Sequence, residues 1–158
     1  MANDTELFLR SYKEEDLLEI AELFFNTVHN TANKNYTKLQ LNAWASGNID
    51  LKTWNQTLIQ NYTIIAEMNK KIVGFGDLAG NYLNRLYVHE KYQGLGIATA
   101  ITENLEGHAA TQGIQVMEVH ASITARPFFE YRGFNLVKEQ QVLRNGVTLT
   151  NFVMKKNL

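Results

Sequence analysis

The stretch Leu86 to His108, LYVHEKYQGLGIATAITENLEGH, constrains the chain most, because a strand-like run passes through a glycine-containing turn straight into a helix. Gln93-Gly94-Leu95-Gly96-Ile97-Ala98 brings two glycines and an alanine to the point where the helix begins. The first four N–H groups of a helix have no partner inside it, and the helix dipole adds positive charge there. Small residues let an anion approach those donors, so the turn predicts a phosphate site. A bare strand-to-helix turn with no ligand has the same appearance. Two other phosphate loops do not fit. A Walker loop needs Gly-Lys-Ser/Thr, and a dinucleotide fingerprint needs glycine or alanine where Thr99 stands and an acidic strand end about 20 residues on.

Around this turn the pattern alternates between strands and helices. Glu6 to Arg10 reads as a first strand, and Ser11 followed by Glu14, Glu15 and Asp16 as a helix start with an acidic first turn. Leu17, Ile20, Ala21, Phe24 and Val28 then recur at three- and four-residue steps, one apolar face for packing on a sheet. Leu39 to Trp44 and Trp54 to Ile59 suggest two short helices separated by Ser46-Gly47-Asn48. Thr63 to Met68, Ile72 to Leu78 and Tyr82 to Val88 read as a meander of three strands. Ile97, Ile101, Leu105 and Ala109 form one seam of the next helix, which Gly113 stops. Val116 to His120 is a strand, Ser122 a plausible N-cap, and Pro127 sits where a first helical turn tolerates it. Phe134 to Leu143 and Val147 to Met154 form a closing hairpin around Asn145-Gly146.

A chain of 158 residues with 45% hydrophobic and 20% charged residues can bury a core, and no linker, repeat or low-complexity tract divides it. Residues 1–158 are therefore expected to form one domain. The net charge of −1, with basic residues scattered except Lys70-Lys71 and Lys155-Lys156, argues against nucleic acid and anionic membranes as partners. Cysteine is absent, which excludes disulfides, a thiolate nucleophile and cysteine-held metals. The N-terminus has neither a signal-peptide pattern nor a stretch near the roughly 20 apolar residues of a membrane helix, and a cytoplasmic location is expected. The four histidines show no metal-ligand spacing, so no metal is expected.

The spacing Gln93-x-x-Gly96-x-Ala98 resembles the acyl-CoA pyrophosphate loop of the GCN5-related N-acetyltransferases. A second match follows downstream. Ala125-Arg126-Pro127-Phe128-Phe129-Glu130-Tyr131-Arg132-Gly133-Phe134 resembles that family's Ala-x-x-Phe-Tyr-x-x-x-Gly-Phe segment, with Phe129 in place of the usual tyrosine. The resemblance runs roughly from Ile64 to the C-terminus. Trp44 in LNAWASGN, the SITARPFFEYRGF run and the ending LTNFVMKK look like the small bacterial YafP-type branch. The fold it implies is α/β (α+β), a mixed, mostly antiparallel sheet of six or seven strands flanked by about four helices.

The resemblance also implies an activity: transfer of an acetyl group from acetyl-CoA to a primary amine of a small molecule or peptide, with a homodimer as one assembly. Backbone N–H groups of Gln93, Gly94, Leu95, Gly96, Ile97 and Ala98 would hold the pyrophosphate, with a hydroxyl from Thr99. Leu86, Tyr87 and Val88 would pair with the pantetheine arm as if it were a strand, and an N–H there would face the developing oxyanion. Ser122 stands roughly where relatives carry a cofactor-binding asparagine, and Phe129 would face the thioester. An alkyl ammonium with a pKa near ~10.4 needs a base, and His120 at a strand end is the leading candidate for base or water relay. A plain hydrogen-bonded histidine fits the same position, and Glu118 could face the site instead. His29, Tyr36 and Trp44 are candidates for the acceptor pocket, although aromatic residues at helical spacing also build cores. Phe129 and the lack of an evident strong base leave two other readings open, a non-catalytic acyl-CoA-binding domain and transfer to a hydroxyl.

Overall fold

The computed structural model describes residues 6–158. Seven strands form one mixed sheet in the order β1-β2-β3-β4-β5-β7-β6, where β1 is Phe8–Ser11, β2 Tyr62–Met68, β3 Lys71–Ala79, β4 Tyr82–Val88, β5 Val116–Ser122, β6 Asn135–Arg144 and β7 Val147–Asn157. All neighbours are antiparallel except β4 and β5. That parallel pair needs a crossover, and α4 (Ile97–Thr111) supplies it. Four further helices complete the fold: α1 (Leu17–Thr31), α2 (Lys38–Trp44), α3 (Leu51–Gln60) and α5 (Arg126–Tyr131). The expected fold class is the one found, with five α-helices where about four were expected.

The helices divide between the two sheet faces because the strands alternate. On one face the α4 seam of Ile97, Ile101, Leu105 and Ala109 packs against Ile64, Val73, Leu83, Met117, Val119 and Met154. On the other, Ile20, Phe24 and Val28 of α1 meet Ile65, Ile72 and Phe75. The approach of α4 is close. A Cβ added at Gly76 would stand 2.8 Å from Ile101 Cγ2, and one at Gly74 would meet Ile101 and Ile97 at 3.1 Å.

Two helix starts differ from expectation. Ser11 closes β1, and a short 3-10 turn at Glu14–Asp16 precedes α1. Asp16 organises this corner: its carboxylate accepts from Lys13 N–H at 2.8 Å and from both terminal nitrogens of Arg10 at 2.8 Å, so an ion pair to β1 does what a serine cap was expected to do. Ser122 is the last residue of β5. Its Oγ accepts from Ala125 N–H at 3.0 Å, which shapes the turn, and Ala125 is the residue that caps α5.

Candidate functional site

A cleft of about 390 Å³ opens where β4 parts from β5. The two strands pair only at Tyr82 with Glu118 and Leu83 with Val119. The register of β4 on β3 shifts at that point: Arg85 lies opposite Asp77 and Leu83 opposite Leu78, so Asn84 is one residue too many. A bulge bends its strand and ends regular pairing. Beyond it β4 stays with β3, and its other edge faces the gap. Asp77, fully buried, anchors the bend by accepting from Arg85 at 2.7 Å, Asn61 at 2.9 Å and Asn84 at 3.4 Å. Burial pushes its carboxyl above the ordinary value, and the Arg85 guanidinium pulls it back. Arg85 also lies over the Trp54 ring, 4.6 Å from its centroid, which ties α3 to the bulge.

The backbone facing the gap follows from the ladder. His89 N–H donates to Val73 O, so in an antiparallel pair the alternate bonded position is Tyr87 with Phe75. Tyr87 thus spends its backbone on β3, contrary to the expectation that it would join Leu86 and Val88 along the pantetheine arm. Leu86 and Val88 turn theirs to the cleft. The Val88 carbonyl already accepts from Gln93 Nε2 at 2.7 Å and Thr27 Oγ1 at 3.1 Å, which closes one end of that edge and fixes the loop after it.

That loop enters α4 through Gly94 (φ 76°) and Gly96 (φ 80°), the left-handed conformation that side chains resist. A Cβ at either would meet nothing within 4 Å, so the space before the helix is open. The first bond within the helix runs from Ala100 N–H to Gly96 O, leaving the N–H groups of Ile97, Ala98 and Thr99 without an intrahelical acceptor. Gln93 and Ala98 line the cleft; Gly94, Leu95 and Gly96 form the exposed lip; the Ile97 side chain is buried beneath α4. Donors, room and dipole together suit the diphosphate of a CoA.

On the cleft walls stand Leu86, Val88, Ser122 and Phe129 of the expected cofactor set. Phe129 is 3% exposed and packs edge-on against Phe128 and Phe134 at 5.3 and 5.2 Å. The aromatic wall opposite is Tyr36, Trp44 and Tyr87. Trp44 Nε1 donates to the Tyr87 phenol at 3.3 Å, and lost solvation pushes that phenol up to about 12. Tyr36 donates to Thr150 O at 2.7 Å and accepts from Ile123 N–H at 2.9 Å, so it also joins α2's approach to β7 and the β5–α5 turn. His29 does not join this wall. Its Nε2 meets Ala45 O at 2.7 Å and its ring lies on Phe25 at 4.3 Å, which makes it a brace between α1 and the chain after α2.

His120 lines the cleft from β5. Its Nε2 meets Glu118 Oε2 at 2.8 Å, Gln140 Nε2 approaches Nδ1 at 3.4 Å, and the Tyr82 ring stands edge-on at 5.0 Å. Glu118 and His120 are two apart in a strand and share a face. The carboxylate selects the tautomer with hydrogen on Nε2, which leaves Nδ1 as the basic nitrogen. Arg144, Asn151 and Tyr82 also line the cleft and carry no motif. Strand alternation was the available signal: Gln140, Val142 and Arg144 fall on one face of β6.

A family model described as "Acetyltransferase (GNAT) domain" matches residues 32–156. The uncharacterised N-acetyltransferase YafP of Escherichia coli (strain K12) is 34% identical over 147 residues, 93% of each chain. A crystal structure from Rhodopseudomonas palustris, described as a GCN5-related N-acetyltransferase, aminotransferase class-II, is 32% identical with a TM-score of 0.94, covering 98% of this chain and 97% of that one. The PaiA N-acetyltransferase of Thermoplasma acidophilum, solved with coenzyme A, shares the fold at a TM-score of 0.81 and 16% identity, covering 98% of this chain and 100% of that one.

Proposed function

The chain belongs to the GCN5-related N-acetyltransferase family, and from that premise we propose that it transfers the acetyl group of acetyl-CoA directly to a primary amine. One observation supports this most: the β4 edge that β5 leaves unpaired is followed, after a short 3-10 turn at Glu90–Tyr92, by a left-handed glycine turn and three helix N–H groups without an intrahelical acceptor, an arrangement that suits the pantetheine and diphosphate of a CoA. Bound there, acetyl-CoA supplies the activated acyl group.

This chain's residues would do the rest. Amides from Gln93 to Ala98 hold the diphosphate, with the Thr99 hydroxyl beside them, and Leu86 presents backbone to the pantetheine. A free β4 N–H at Leu86 or Val88 donates to the oxygen that gains charge, a contribution of about 3–4 kcal/mol in comparable oxyanion holes. Ser122 and Phe129 flank the thioester. His120, oriented by Glu118, takes the amine's proton on Nδ1 directly or through water, displacing the long contact from Gln140. Tyr36 and Trp44 wall the acceptor side. Phe129 offers no proton, yet a thiol with a pKa near ~8.5 leaves tolerably without one. Residues 1–158 act as one domain, and the absence of cysteine suits the cytoplasm.

The test is release of free CoA thiol from acetyl-CoA across a panel of primary amines, with acetyl-CoA binding measured separately. Turnover on any amine supports the proposal. Binding without turnover on any amine contradicts it and favours a non-catalytic acyl-CoA-binding domain.

A further inference from the structure

Resting on the amine-acetylation reading, we infer that the acceptor carries an anionic group, a carboxylate or phosphate near its amine, and that Arg144 is the residue that selects it.

The chain has five arginines, and four of them are neutralised. Arg10 meets Asp16 and Glu67, Arg85 meets Asp77, Arg126 meets Glu130, and Arg132 meets Glu103 and Glu106, all within 4 Å. Among the described residues Arg144 has no carboxylate partner. Its guanidinium makes one hydrogen bond, to the carbonyl of neighbouring Leu143 at 3.1 Å. It is also the one of the five that lines the cleft. An arginine fork is built for two-point recognition of a carboxylate or phosphate, and this one is left with most of its donors free.

The placement assigns that anion to the acceptor and not to the CoA phosphates. Arg144 shares the Val142 face of β6, and Val142 and Leu149 pack with the core beneath α1, α2 and α3. The glycine turn starts α4, which covers the opposite sheet face. The adjoining Asn145 Nδ2 donates to Ala43 O at 2.8 Å and holds the hairpin beside Trp44, on the wall assigned to the acceptor.

A second group on the same strands points the same way. Asn151 lines the cleft, and its Oδ1 is buried with no hydrogen-bond partner among the described residues. A buried amide oxygen without a donor costs stability, and a turn of this amide toward the cleft would let an acceptor N–H satisfy it. Around one space the chain thus sets a free cation, an orphan acceptor and a carboxylate-backed imidazole. That arrangement suits an amine bearing an anion, and it repels a polyamine at Arg144.

Matched pairs test it: an α-amino acid against its carboxamide, and O-phosphoethanolamine against ethanolamine, each assayed for thiol release with wild type, Arg144→Gln and Arg144→Lys. Wild type should favour the anionic member of at least one pair in kcat/KM, and which pair shows it separates carboxylate from phosphate. Arg144→Gln should shrink that preference by roughly 5- to 10-fold, between an exposed ion pair and a charge-assisted hydrogen bond, with the KM for acetyl-CoA unchanged. Arg144→Lys should restore part of it. The proposal is overturned if the neutral members react as well, if Arg144→Gln leaves the ratio unchanged, if it raises the acetyl-CoA KM instead, or if acetyl-CoA binds and no member of either pair is consumed. Failure of acetyl-CoA to bind at all defeats the underlying enzyme reading, and this inference with it.

Discussion

At the scale of single residues, the cleft separates what chemistry needs from what packing needs. His120 is half-exposed and backed by a carboxylate, an arrangement that a purely structural histidine does not require. An imidazole accepts a proton only when neutral, so kcat/KM should rise with pH on its acid side. His120→Gln should lower kcat/KM by about 10²-fold and flatten that limb. A pH profile that overlays the parent would make His120 a structural residue. The sequence pointed to His120 by its strand-end position and offered Glu118 as the alternative; the structure brings the two together as a pair. It also offered His29 for the acceptor pocket, and that ring instead braces Ala45, since periodicity says which helix face a residue occupies and not which neighbour claims its polar atoms. Arg144 escaped notice for the converse reason: its meaning lies in the partner it lacks.

At the scale of elements, two contacts fix how helices meet the sheet. Gly76 lets α4 lie against β3, and Ile101 Cγ2 would meet a new Cβ at 2.8 Å. Gly76→Ala should therefore destabilise by about 1–3 kcal/mol through overpacking, a fall in Tm of roughly 3–10 °C by calorimetry. The strand containing it was legible, but its closeness to α4 was not, because contact between elements far apart in sequence leaves no local pattern. The second contact is Asp16 with Arg10. Burial alone would raise the Asp16 carboxyl, yet the Arg10 guanidinium and the Lys13 N–H hold it below the ordinary carboxylate value. A depressed folded value adds stability above the unfolded value of about 3.9 and loses it as pH falls through the folded one. Asp16→Asn should cost about 1–2 kcal/mol at pH 7, and urea unfolding should show the gap from the parent narrowing below about pH 4.

At the scale of the whole molecule, the order of strands and helices was readable because each element carries its own period and its own turn chemistry. The opening of the sheet was not, since it depends on one surplus residue, Asn84, whose bulge is defined only against β3. The central claim is that the turn at the start of α4 holds the phosphates of acetyl-CoA. Isothermal calorimetry of acetyl-CoA with Gly96→Glu tests it most directly when Gly113→Glu serves as control. Both glycines have similar left-handed φ, 80° and 78°, at opposite ends of the same helix, and neither has a neighbour within 4 Å of a new Cβ, so the two substitutions impose similar backbone strain. Only the first puts a carboxylate and a side chain where the diphosphate is to lie. Gly96→Glu should weaken binding by about 10-fold or more, while Gly113→Glu binds as the parent does. Equal affinity in the two folded variants would contradict the account.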